Sequence, residues 1–101
     1  MHAVYAGGKR PLPAERKSFL ERWTRYVGAR PGIADLFVEE LLFREGTREF
    51  WLPAQAPLVP RIEKELRPGD AADLHVLWAG AWRGDCVFLL NEVEAAPRAR
   101  P

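Results

Sequence analysis

The stretch "DLHVLWAGAWRGDCVFLLNEVE", residues 73 to 94, restricts the fold more than any other part of the chain. Two apolar segments flank Arg83-Gly84, and in each the side chains on both alternating faces are mostly apolar or small. One face of the first segment carries Leu74, Val76, Trp78, Gly80 and Trp82, and the other carries His75, Leu77, Ala79 and Ala81. The second segment sets Cys86, Phe88 and Leu90 against Val87 and Leu89. A strand with one wet face shows a polar residue at every second position, so this hairpin predicts cover on both sides, by a barrel interior and by a helix. With a two-residue turn, His75 falls opposite Glu92.

Two segments supply helices. From Pro13 onward, Phe19, Leu20, Trp23 and Val27 form a stripe with Tyr26 beside it, while Glu15, Arg16, Glu21, Arg22 and Arg25 occupy the other side. Pro13 suits a first turn, and Gly28, followed by Pro31 and Gly32, suits a C-terminal stop. Trp23, inside the stripe, reads as core. The second helix is shorter: "PLVPRIEKELRPGD" places Leu58, Val59, Ile62 and Leu66 on one side and ends at Pro68-Gly69.

Between the helices lies a segment that periodicity alone leaves open. Ile33, Leu36, Phe37 and Leu41 fit a helical face, while Phe37, Leu41 and Phe43 fit a strand face interrupted by Glu39. The continuation "LLFREGTREFWL" decides for a hairpin over about 38 to 53, with residues 33 to 37 as a short helical turn. In that register Arg44 meets Glu49, and Phe43, Leu42 and Leu41 meet Phe50, Trp51 and Leu52. Such cross-strand pairs contribute roughly 0.2–1 kcal/mol each. "LPAQAPLVP" then ends the strand, because proline donates nothing to a ladder.

The chain of 101 residues is the size of one domain with one core. The periodic part predicts that domain at 13–94, with 1–12 a flexible N-terminal segment and 95–101 a flexible basic tail. The order helix, hairpin, short helix, hairpin gives an α+β domain whose four strands form an antiparallel sheet or partial barrel. The strand-helix-"PGD"-strand passage resembles the way oligonucleotide/oligosaccharide-binding (OB) folds and SH3-like barrels insert a helix between strands. The unpaired edges of a four-stranded sheet also make a homodimer through an edge strand an expectation.

Fifteen basic and fourteen acidic residues leave a net charge of +1, too little for a global field that would draw in nucleic acid or anionic lipid. The arginines, twelve against three lysines, alternate with glutamates as on a self-neutralising face. The longest apolar stretch, Val76 to Trp82, is about a third of a membrane-spanning helix, so no membrane insertion is expected. A flexible cytosolic amino terminus is favoured over a trimmed signal peptide, which the small residues around "VYAGG" would otherwise suggest. Compartment and ligand identity do not follow from the residues.

The candidate chemistry is sparse. Cys86, the single cysteine, excludes an internal disulfide and reads as a small strand hydrophobe. Arg83-Gly84-Asp85 matches a cell-adhesion tripeptide, but turn geometry explains it. Glu39, Glu40, Glu92 and Glu94 form either a carboxylate cluster or the wet rim of the sheet. With only His2 and His75 to add, neither a metal nor a cofactor is expected. Tryptophan carries both a large apolar area and an N–H that wants a partner, so Phe50, Trp51, Trp78 and Trp82, with Arg48 and Arg83, are the candidate binding residues. The favoured function is a non-catalytic interaction module holding a peptide, protein partner or apolar ligand. One alternative is single-stranded nucleic-acid binding through Arg44, Arg48, Arg61 and Arg83 with stacking indoles. Another is a small enzyme using His75 and Glu92.

Overall fold

In a computed structural model that describes residues 1–30, 32–82 and 85–95, five strands and two helices form an α+β unit closed into a small barrel. β2 (Phe37–Glu45) and β3 (Arg48–Gln55) make the first hairpin, with Leu41 opposite Leu52, Phe43 opposite Phe50 and Arg44 opposite Glu49, the register that the side-chain pairing favours. A single 3-10 turn, Ile33–Leu36, precedes it. β4 (Ala71–Trp82) and β5 (Asp85–Ala95) make the second hairpin and place His75 opposite Glu92. The tail beyond Ala95, Arg83, Gly84 and the side chains of Trp82, Asp85 and Cys86 lie outside the described residues.

The sheet has five strands, not four. The segment expected to be a flexible end is β1 (His2–Pro11), which pairs antiparallel with β2 on one side and β4 on the other. Ala3 and Tyr5 point into the barrel, where the Tyr5 ring lies 5.5 Å from that of Phe43. The register then shifts between Tyr5 and Lys9, where Gly7 has φ +87° and a Cβ on it would stand 2.7 Å from Cγ of Pro68. No side chain but hydrogen fits there, which is why "AGGK" hides a strand behind a loop-like composition. Closure in the order β1-β2-β3-β5-β4 takes the edges of the expected sheet into the barrel's own ladder up to Leu74 of β4, which leaves an edge-strand dimer only the part of the second hairpin beyond it.

The barrel interior holds Leu41, Phe43, Leu52, Ala54, Leu74, Leu90 and Val93. α2 (Leu58–Glu65), between β3 and β4, adds Leu58, Val59 and Ile62 to the same cluster, and Leu66 follows. α1 (Ala14–Tyr26), between β1 and β2, lies outside. Its Leu20, with Phe19 and Trp23, joins a second cluster of Ala34, Phe37, Ala79, Val87 and Leu89. Leu89 belongs to that outer cluster while Leu90 belongs to the inner one, so β5 separates the two cores.

α1 has a structural task there. β3 and β5 run parallel and meet at one pair, Ala54 with Leu90, which leaves the barrel weakly laddered along this seam. Arg16 reaches Glu40 on β2 and, at 3.5 Å, the Trp51 carbonyl on β3, while Leu20 and its neighbours pack on β5 and β4. The helix therefore bridges a seam that strand pairing leaves open.

Cover of the second hairpin is two-sided on β5 only. Val87, Leu89 and Leu90 are buried, whereas Leu77 and Trp78 on β4 are 51% and 60% exposed. Two causes combine. The β1–β4 ladder stops at Asp73, and a bulge between Trp78 and Gly80 shifts the phase, placing Gly80 opposite Val87 and beside Phe19. Trp78 and Gly80 therefore do not share a face, contrary to simple alternation.

Candidate functional site

The last turn of α1 and the chain that follows it stand over the outer face of β4 and β5. Trp23 and Val27 are one turn apart, so both indole and isopropyl groups come to the same side. Backbone hydrogen bonds hold this end firmly: Val27 N–H donates to the Trp23 carbonyl at 3.0 Å, and Ala29 N–H to the Thr24 carbonyl at 2.8 Å. The Thr24 hydroxyl, buried, donates to the Glu21 carbonyl and adds no free polar group. Between this wall and the sheet lies a cleft of about 310 Å³ lined by Trp23, Val27, Ile33, Phe37, Leu77 and Leu89, with Thr24, Ala29, Gln55 and Asn91 completing it. Such a volume is at the small end of ligand sites.

The lining surface is carbon almost throughout. Its main polar pair satisfies itself, since Gln55 Nε2 donates to Asn91 Oδ1 at 2.7 Å. The cleft is open at Val27, which is 51% exposed. Arg22 and Arg25 are exposed on the side of α1 away from Trp23 and Val27, Arg30 is exposed after the helix, and none of the three makes an ion pair with another described residue.

Of the six candidate residues from the sequence, four have described side chains, and these do not share one face. Phe50 and Trp51 alternate across β3, so they face opposite sides: Phe50 packs towards the barrel interior, with the Arg48 guanidinium 5.8 Å from its ring, and Trp51 lies on the outer face. There Arg10 stacks on the indole at 4.1 Å, and Gly8 lets the ring approach. Trp78 projects on the side of β4 opposite the cleft, across from Phe88. Arg83 and the side chain of Trp82 lie outside the described residues. Trp23, read as core, packs against the outer cluster and also lines the cleft. The signal was present in "WTRYVGA": the apolar stripe runs on to Val27, past the last helical residue, Tyr26.

The proposed catalytic pair meets in the ladder, yet Glu92 is already engaged. Its carboxylate accepts from the Val93 N–H at 2.9 Å and from Arg61 Nη2, and these two bonds, in that order, hold it below the usual glutamate range. Arg61 Nη2 also donates to the Val93 carbonyl at 2.7 Å. A carboxylate so occupied is a poor proton acceptor. The four glutamates considered as a cluster are dispersed. Glu39 lies 3.9 Å from Lys9, Glu40 binds Arg10 and Arg16, and Glu92 binds Arg61. Among the described residues no three His, Cys, Asp or Glu side chains are placed to hold a metal ion, and no helix is long and apolar enough to cross a membrane.

Comparison with known proteins adds no name to this geometry: no family model, no curated protein and no solved structure matches the chain.

Proposed function

We propose that the protein is a non-catalytic interaction module that docks an apolar group in the cleft between the end of α1 and the β4–β5 hairpin. One observation carries this reading: a carbon-lined cleft in which Gln55 and Asn91 bond to each other and Val27 and Leu77 are half exposed. Exposed apolar patches with a polar rim mark interaction sites, whereas isolated surface hydrophobes do not. Titrating isotope-labelled protein with a neutral fragment such as indole tests it. Amide shifts confined to Trp23, Val27, Leu77 and Leu89 are expected, and shifts scattered over the surface or absent at millimolar fragment refute it.

A second reading rests on topology. A five-stranded closed barrel with a helix between its third and fourth strands supports likeness to the OB fold, in which the face of strands 2 and 3 binds oligonucleotides or oligosaccharides. The side chains favour it less. On β2 and β3 the arginines face glutamates, Arg44 with Glu49 and Arg48 with Glu45, and Arg10 is held by Glu40. Phosphate contacts would make affinity fall steeply with salt, and an apolar cleft would hardly respond, so a salt titration of any oligonucleotide binding separates the two.

A further inference from the structure

β4 outruns the barrel. Its pairing with β1 covers Ala71–Asp73, and Leu74 exchanges two backbone hydrogen bonds with Met1, at 2.6 and 2.8 Å. From His75 to Trp82, among the described residues, β4 has a ladder partner on the β5 side only. β5 in turn meets β3 at a single pair, Ala54 with Leu90. Beyond that level the hairpin is a two-stranded ribbon, a form that is marginal by itself in water. α1 covers one face of it, through Phe19, Leu20 and Trp23 against Ala79, Val87 and Leu89. On the other face Trp78 is 60% exposed.

The bare edge has a definite chemistry. Leu74 turns its N–H and C=O towards Met1, and strand alternation turns those of Val76 and Trp78 the same way, away from β5. A second extended backbone is what matches such a row. The run His75–Trp82 also contains no Lys, Arg, Asp, Glu or Pro, the residues that usually blunt an edge, whereas β1, β2, β3 and β5 each carry at least two charged side chains. Only the bulge after Trp78 interrupts it.

We infer that this edge is a self-association surface: β4 of one copy pairs antiparallel with β4 of a second about a two-fold axis near Trp78, giving the sheet order β5-β4-β4-β5. Three features favour a second copy over a foreign strand. The edge is self-complementary under a two-fold, because every donor and acceptor it offers recurs in reverse on its copy. With no acidic or basic side chain but His75 in the run, self-pairing sets no carboxylates or guanidinium groups against their like, and a foreign strand finds no charge to select it. The same axis brings the exposed Trp78 of both copies to one face, where aromatic side chains pair favourably across strands. Eight residues span about 26 Å. One strand edge falls short of the roughly 800 Å² per partner of a standard interface, so the dimer dissociates on dilution.

Sedimentation equilibrium of the whole protein, from about 1 to about 500 μM, covers the affinities such an edge can give and tests the proposal. A monomer–dimer equilibrium is expected. Amide exchange at Val76 and Trp78 should slow as concentration rises, while Leu77, whose N–H points to β5, should hardly respond. Trp78→Lys replaces an exposed indole with an edge charge and should weaken dimerisation on the order of tenfold or more, circular dichroism establishing that the variant folds. A monomer at every concentration overturns the proposal, as does a dimer in which Val76 and Trp78 exchange as fast as in the monomer or which a folded Trp78→Lys leaves intact. Oligomers that grow without limit overturn the two-fold closure. None of these outcomes bears on the cleft, which the fragment titration tests separately.

Discussion

Replacing Arg16 by Met should destabilise the protein far more than loss of an ordinary surface ion pair. The Glu40 side chain has no exposed surface, and its two oxygens divide between Arg10 Nε at 2.9 Å and Arg16 Nη1. Arg16 is itself 19% exposed and Arg10 40%. Methionine keeps most of the aliphatic stem, so packing over β2 and β3 changes little, but Glu40 Oε2 is left buried without its guanidinium. Removing one member of a buried pair costs about 3–5 kcal/mol. Arg10 still serves the other oxygen, which places the expected loss near the low end, about 3 kcal/mol. For a domain of this size that lowers Tm by roughly 12–24 °C. Urea unfolding at neutral pH, followed by circular dichroism, measures it, and amide exchange should rise along α1 because its tether across the β3–β5 seam is cut. Replacing all three residues together (Arg10→Met, Arg16→Met, Glu40→Leu) should restore most of the loss, since no charge then stays buried. A loss for Arg16→Met below about 1 kcal/mol, the range of exposed pairs, would mean that water reaches Glu40 and that the clamp is idle.

Three further outcomes follow from particular contacts. Leu20→Ala, at a position with no exposed surface, should cost about 2–5 kcal/mol and loosen α1 before the barrel; equal exchange rates in α1 and β2 afterwards would contradict two separate cores. Gly7→Ala should be worse than Gly28→Ala, because both have positive φ but only Gly7 sets a Cβ against Pro68, whereas nothing lies within 4 Å of Gly28. The left-handed backbone alone costs about 1–2 kcal/mol, so thermal melts in which the two variants coincide would remove the steric argument. Glu92 has its acidity strengthened in the fold, so its stabilising effect is complete above the unfolded glutamate range and disappears as pH falls through the lower folded value. The stability difference between wild type and Glu92→Gln should therefore be present at pH 7 and absent in strong acid, and a difference that grew on acidification would reverse the sign.

What could be read ahead of the structure was local. The β2–β3 register, the His75–Glu92 pairing, the 3-10 turn at Ile33–Leu36 and both helices each rest on residues fewer than about twenty apart, where spacing of apolar and charged side chains is enough. β1 escaped because its stability comes from strands that lie tens of residues further along the chain, as Tyr5 with Phe43 and Ala3 with Ala72 show. Glycine at positions 7 and 8 looks like a loop until Pro68 and Leu42 are seen to occupy the space a side chain would take. The same limit hid the cleft: Trp23 lies on an apolar stripe whether it meets a core or a cavity, and only the position of Leu77 and Leu89 opposite it distinguishes the two.

The amino-acid sequence alone determined the two helices and the two hairpins with the pairing inside each, because hydrophobic period and turn chemistry act between near neighbours and survive any arrangement of the rest. Barrel closure through β1, burial of Glu40 between two arginines and the opening left beside α1 were decided by the tertiary structure. Each depends on distances between segments remote in the chain, and the free energy of such contacts exists only once the barrel has brought them together.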